Sequence, residues 1–448
     1  MFLSDIKYHP LGDKKPEGGK RMIKQTQLSF KLGLTEDEIT PRAGLSVYSE
    51  FLRGFGVKDV IDKHMPLPGS NRGYKAWSYI EPVMLMQYGG GRHIEDLREI
   101  VEDKALRKII GLEGLPSVSA VGDWFRRMGN GSGLGCIGHV IDETNRKALR
   151  THEASEYTLW SDPTLIESEK ADAKMSYMGF KGYRPIVTAL RELPVILHHE
   201  FRDGNAMGGT QEAVEAAYRI MPAGKRIRHA SLDSEFYTAD VINFLTKEGT
   251  TFAIAADKDA AVMAAIKGLA SWRPLKTEEG IATDREIAET VHTMNGTERA
   301  FRLIVLRWRK PQAELFEPEP YCYHAIASSL ECTAEEVVWE YNGRGQMENV
   351  IKELKGGMGM ESLPCGDFGA NAFWFALGVL TYNTFVLQKE LLLPEQYKAK
   401  TIGTLRWSLI GIAGKVVRHG RRLWLLLATT WEKLGIYQQM RKRCMIFG

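Results

Sequence analysis

The chain has 448 residues, 44% hydrophobic and 26% charged, with a formal net charge of +3. It is too long for one ordinary domain, can bury sizeable cores, and is not a polycation throughout. Five scattered cysteines, odd in number and never spaced C-x-x-C, argue for a reducing compartment and against a zinc site; with no signal-type N-terminus and no run of about eighteen apolar residues, the expectation is a soluble cytoplasmic protein with no membrane partner.

Residues 1–40 are polar and rich in Lys and Gly and read as a flexible basic arm. Residues 41–150 turn helical. Apolar residues recur at three- and four-residue spacing over 45–55, 76–88, 94–101 and 121–128, with breaks at Gly89-Gly90-Gly91 and at 116–119. The run G-D-W-F-R-R over 122–127 offers bases and aromatics to a duplex, as a helix-turn-helix does, although Trp124 and Phe125 serve equally as core.

Between 151 and 258 the period changes. Strand-like runs at 157–161, 174–190 and 193–199 precede a helix at 210–220, a strand at 226–232, a helix at 238–247 and a strand at 251–256. This is an α/β order. Residues 259–332 add a helical piece at 260–270 and alternating segments at 287–293, 299–307 and 321–328, the mark of a mixed insertion with β-strands. One of them holds Arg302, Arg307, Arg309 and Lys310 beside Trp308.

In 333–390, T-A-E-E over 333–336 has the form of a capping box, and Gly356-Gly357 closes the helix that follows. On a helix at about 100° per residue, Tyr341, Arg344, Glu348 and Lys355 fall within roughly 60° of one another, beside a stripe of Met347, Val350, Ile351 and Leu354. Gly343 and Gly345 cost about 1 kcal/mol each relative to Ala, so the helix should start late or bend there. Segments 370–387 and 405–434 read as helices, the latter within a basic helical C-terminal region at 391–448. From residue 396 onward eleven Lys or Arg face one acid, Glu432, with Trp407, Trp424 and Trp431 between them. Such a tail can track a phosphate backbone, and an ordinary basic amphipathic helix bundle would look the same.

The spacing Tyr341, Arg344, Glu348, Lys355 resembles the Y-x2-R-x3-E-x6-K signature of the insertion-sequence-four superfamily of bacterial DDE transposases. The run Y-T-L-W-S-D-P-T ending past Asp162 looks like that family's first catalytic strand, and R-H-A-S-L-D-S-E-F-Y around Asp233 looks like its second. Trp160 departs from the pattern, since many relatives carry an extra acid there. The resemblance covers most of the chain from about residue 40 onward. It implies a ribonuclease-H-like catalytic core split into 151–258 and 333–390 by a β-rich insertion, an N-terminal helical domain for DNA binding or dimerisation, and a helical C-terminal region.

It also implies the chemistry. Asp162, Asp233 and Glu348 would be the catalytic carboxylates, holding two Mg2+ ions, with Mn2+ as a substitute, because hard cations take oxygen ligands and need few from the protein. Tyr341, Arg344 and Lys355 would bind phosphates of the transposon end, with Lys352 nearby, Trp308 as a candidate base contact from the insertion, and Arg418, Arg421 and Arg422 on the basic C-terminal surface. His198-His199 suit strand packing better than magnesium. The implied partners are double-stranded DNA, as transposon ends and target, and a second copy or more on that DNA, in a bacterial cytoplasm and on its nucleoid. The competing readings are a ribonuclease-H-class DNA nuclease without strand transfer and a domesticated, non-catalytic DNA-binding protein.

Overall fold

The computed structural model describes residues 33–310 and 320–447. The proposed arm at 1–40 thus lies mostly outside the described residues, but its last two, Ile39–Thr40, form a short strand in a C-terminal sheet. The N-terminal half is helical: α1 (Leu45–Gly54), α2 (Val57–His64), α3 (Ala76–Gly89), α4 (Lys104–Ile110), α5 (Val118–Gly129) and α6 (Gly133–Thr151). Trp124 and Phe125 of α5 are buried, with Trp124 stacked on Tyr79 and edge-on to Phe373. Their role is core, so of the bases and aromatics in the run 122–127 only Arg126 and Arg127 are exposed to a duplex.

The centre is one nine-stranded mixed sheet. Its strands are β1 (Glu156–Pro163), β2 (Ile186–Leu190), β3 (Ile196–Glu200), β4 (Arg226–Leu232), β5 (Thr251–Ala256), β6 (Arg273–Lys276), β7 (Ala282–His292), β8 (Phe301–Arg309) and β9 (Tyr321–Ser328), in the spatial order β6-β7-β8-β9-β5-β4-β1-β2-β3. Tyr157 to Ser161 of β1 are all buried, as expected of a strand covered on both faces. β4 runs parallel to β1 on one side and to β5 on the other. Parallel neighbours need a crossover, which α8 (Ala239–Lys247) supplies between β4 and β5, while α7 (Thr210–Ile220) leads from β3 into β4. The helix α9 (Ala260–Lys267) follows β5, and the strands of the insertion then continue the same sheet, β9 pairing antiparallel with β5 from Ala325↔Ala256 to Ser328↔Ala253.

After β9 come α10 (Ala334–Asn342), α11 (Met347–Lys352), α12 (Phe368–Leu392) and α13 (Trp431–Cys444). α12 is long and apolar enough to cross a membrane by length and composition, yet that apolar stretch is wholly buried inside the protein, as befits a central core helix. Asp367 caps its N-terminus, accepting from Ala370 N at 2.7 Å. A buried amide network ties it to the sheet: Asn383 donates to Ile196 O at 2.8 Å and to Asn145 Oδ1 at 3.0 Å, and Ile196 N donates back to Asn383 Oδ1 at 2.8 Å. Such groups are costly to bury unpaired and specify the docking of α6, α12 and β3.

The C-terminal region departs from expectation. Within 405–434, expected as helix, lie two strands, β10 (Gly414–His419) and β11 (Arg422–Leu427), forming a hairpin that joins Ile39–Thr40 in a three-stranded sheet. Gly420 and Arg421 at the hairpin tip both have positive φ, 55° and 64°, the tight-turn geometry that matches strand twist.

Helices α5 and α12 meet glycine on glycine. A Cβ added to Gly129 would stand 2.0 Å from Gly369 O. Gly129→Ala is therefore expected to destabilise the fold by about 1–3 kcal/mol, read as a lower denaturation midpoint; an unchanged midpoint would mean that α5 and α12 can part freely.

Candidate active site

Asp162 and Asp233 are brought together by strand pairing. β1 and β4 are parallel neighbours whose last registered pair is Ser161↔Leu232, so the next residue of each, an aspartate in both, stands at the same end of the pair, Asp162 still paired with Val187 of β2 and Asp233 just past β4. Ser161 is locked from below by a hydrogen bond with Thr188 at 2.7 Å, and Asp233 opens a short turn by accepting from Ser234 N at 2.7 Å. Asp233 stands close enough to Asp162 for its carboxyl to act on it both by charge and by hydrogen bonding. Burial chiefly, then the charges of Asp233 and Glu348, pushes Asp162 up to about 7 against the pull of Arg344. The guanidinium Nη1 of Arg344 stands 3.5 Å from Asp162 Oδ1.

The helix expected over 341–355 is not one helix. α10 ends at Asn342, a tight 3-10 turn runs Gly343–Gln346, α11 covers Met347–Lys352, and a wide π turn, Glu353–Gly357, follows. The turn falls on the two glycines, where helix costs most. Tyr341 is buried at the end of α10, and Arg344 lies over its ring at 5.6 Å. Met347, Val350 and Leu354 are buried as the apolar stripe. Glu348 is exposed in the first turn of α11, close enough for its charge to bear on Asp162, and Arg344 pairs with Asp162 rather than with it. Among the described residues no three His, Cys, Asp or Glu side chains are grouped closely enough to hold a metal ion. The Asp162–Asp233 pair alone is joined; Glu348 stands outside contact.

The family described as transposase DDE domain, group 1, matches residues 38–445. The chain belongs to this family of DDE transposases. No curated protein matches it. Among solved structures it is similar to a piggyBac transposase seen by cryo-EM in a synaptic complex with hairpin DNA, at 10% identity and a TM-score of 0.47, over 80% of this chain and 79% of that one.

In this transposase the remaining candidate residues fall in different settings. Lys355 is half-buried and donates to Leu165 O at 2.6 Å, three residues past Asp162; burial lowers its pKa. It clamps the loop after β1. Lys352 is exposed on α11. Trp308 is half-buried in the insertion part of the sheet, with Arg285 over its ring at 4.9 Å. Arg418, Arg421 and Arg422 are exposed at the β10–β11 tip, so the basic surface there is a hairpin and not a helix. Burial lowers His198 to about 4 and His199 to about 3, and His199 packs on Phe375 at 6.0 Å.

One buried ion pair escaped sequence reasoning. Glu235, two residues past Asp233, is held by both Nη groups of Arg184, and Arg202 approaches it at 3.7 Å. Arg184 also donates to Ala206 O at 3.0 Å. This fixes the turn carrying Asp233 to the loop after β3. The acid in D-S-E was the available signal, but its partners come from distant segments.

Asp162 yields a pH test. Its folded pKa of about 7 lies above the unfolded value of about 3.9. Between these values the folded state keeps a proton that the unfolded state has lost, so stability falls as pH rises through that window. Asp162→Asn is expected to raise the metal-free unfolding midpoint at about pH 8, by on the order of 1–3 kcal/mol, with the gain vanishing near pH 4. An equal gain at both pH values would show that the carboxylate is not strained.

Proposed function

We propose that this transposase works by cut-and-paste: it binds the terminal inverted repeats of an insertion sequence, cleaves to free a 3′-hydroxyl, and joins that end to target DNA. The observation that carries the reading is the pair of aspartates held in contact at the ends of two parallel strands, with Arg344 beside them. A protein gains nothing structural from burying two like carboxyls together. The arrangement makes sense as a set of hard oxygen donors kept ready for positive charge.

Divalent cations, Mg2+ or Mn2+, would be held by Asp162, Asp233 and Glu348 and would supply charge to the attacking and leaving oxygens. The donor chemistry fits them, because all three ligands are carboxylates and two already share a site. Glu348, exposed on the first turn of α11, would turn inward when DNA is bound. Arg344, its Nε buried and without a partner, is suited to a phosphate oxygen. Tyr341 backs that guanidinium with its ring. Lys355 acts by holding the loop after Asp162, while Lys352, Trp308, Arg418, Arg421 and Arg422 are exposed or half-exposed and would meet DNA farther out.

We read the strand order β3-β2-β1-β4-β5 as a ribonuclease-H-like core, the spacing through Tyr341, Arg344, Glu348 and Lys355 as the insertion-sequence-four signature, and residues 41–150 as the part that binds ends or pairs protomers. Synapsis of two ends implies at least a dimer on double-stranded DNA. The site of action is then the bacterial nucleoid.

Incubation with Mg2+ and DNA carrying the element's terminal repeats, with a target plasmid present, should give 3′-hydroxyl ends at the repeat boundary and joined products. Asp162→Asn, Asp233→Asn and Glu348→Gln should each lower cleavage by at least about 10³-fold without loss of end binding. Cleaved ends that never join would favour the nuclease, and unchanged cleavage in all three variants would sink the assignment.

A further inference from the structure

The insertion extends the catalytic sheet, so one face of it runs from the carboxylates outward. On this face lie Ala253 and Ala255 of β5, Ile326 of β9, Ile304 and Leu306 of β8 and Ile287 of β7, covered by Val337, Val338 and Tyr341 of α10. Strand alternation fixes what comes next. His324 pairs with Leu306, which pairs with Ile287, so His324 belongs to this face at the point where α10 ends. Its ring is 5.5 Å from that of Tyr341. One step farther, past the helix end, Trp308 and Arg285 meet on the same face.

Positive charge converges on His324 from three elements: Lys258 in the loop after β5, Arg285 on β7 and Arg344 in the 3-10 turn, with Asp233 the opposing charge. Lys258 reaches the same strand, donating to Tyr323 O at 3.3 Å. Three other arginines of the extension are engaged within the protein: Arg273 with Glu335, Arg302 with Glu289 and Arg307 with Glu286; Arg299 and Arg309 do not lie at His324. Among the described residues Lys258 and Arg285 pair with no carboxylate, and both are exposed. Cations that outnumber the acids facing the same spot repel one another, and an anion placed among them relieves that repulsion.

We propose that Lys258, Arg285 and His324 form a second phosphodiester-binding subsite on the sheet extension, taking the DNA backbone next to the phosphate held at Asp162, Asp233 and Arg344. The inference rests on the transposase reading above for the identity of the anion. The two cations contact phosphate, and His324, wedged against Tyr341, orders the strand between this subsite and the carboxylates.

Salt dependence separates a phosphate contact from a structural role, because removing one cation from a phosphate reduces the slope of log affinity against log salt by about 0.9. The test measures binding of a fluorescein-labelled terminal-repeat duplex across NaCl concentrations in EDTA, where nothing is cut. For Lys258→Gln/Arg285→Gln the slope should fall by about 2, while Arg273→Gln, which breaks a pair internal to the protein, leaves it unchanged. An unchanged slope in the double variant overturns the subsite, and so does an equal fall in Arg273→Gln. Because binding is read without metal, an enzyme that shows the slope change yet never cuts with Mg2+ would overturn the cut-and-paste reading and leave this one standing.

Discussion

Two half-buried carboxyl groups held together resist ionising together without a compensating cation. That constraint organises the part of this transposase that carries the candidate active site. The parallel pairing of β1 with β4 delivers Asp162 and Asp233 to one end of the pair, and three contacts tie their surroundings down: a buried hydroxyl pair beneath, the Glu235 ion pair behind the Asp233 turn, and the Lys355 clamp on the loop after Asp162. The protein thus holds a repulsive pair in place instead of letting it relax. Arg344 meets part of the charge, and burial favours the protonated form of Asp162.

The broken helix explains how a third acid can be near and yet apart. A straight helix over 341–355 would fix Glu348 relative to Tyr341. The two glycines allow a 3-10 turn instead, and the π turn after Lys352 loosens the other end. α11 is therefore a six-residue segment between two irregular turns, packed on β1 and β2 by Met347 and Val350. Short helices of this kind can shift at small cost, as the proposed inward turn of Glu348 on DNA requires.

Much of this was legible in the chain because strong local signals agreed. The strands Arg226–Leu232, Thr251–Ala256 and Tyr321–Ser328 and the helix Thr210–Ile220 stand where their periodicity puts them, and Thr333 and Glu336 form the capping box that their spacing suggests. The position of both aspartates at strand ends follows from the same periodicity. What was not legible depends on distant partners. The run L-W-L-L-L at 423–427 suits a helix or a strand equally, and only its pairing with β10 decides. The junction of β9 with β5, which turns an insertion into an extension of the core sheet, leaves no local trace. Nor does the partner of Lys355, since Leu165 offers a backbone carbonyl.

The most direct measurement of the central claim is anomalous scattering from Mn2+ in crystals of the transposase bound to a terminal-repeat duplex. The account predicts manganese between Asp162 and Asp233, with Glu348 turned in to meet it and Arg344 moved onto phosphate. Manganese elsewhere, or none at the aspartates with Glu348 still facing solvent, would contradict it.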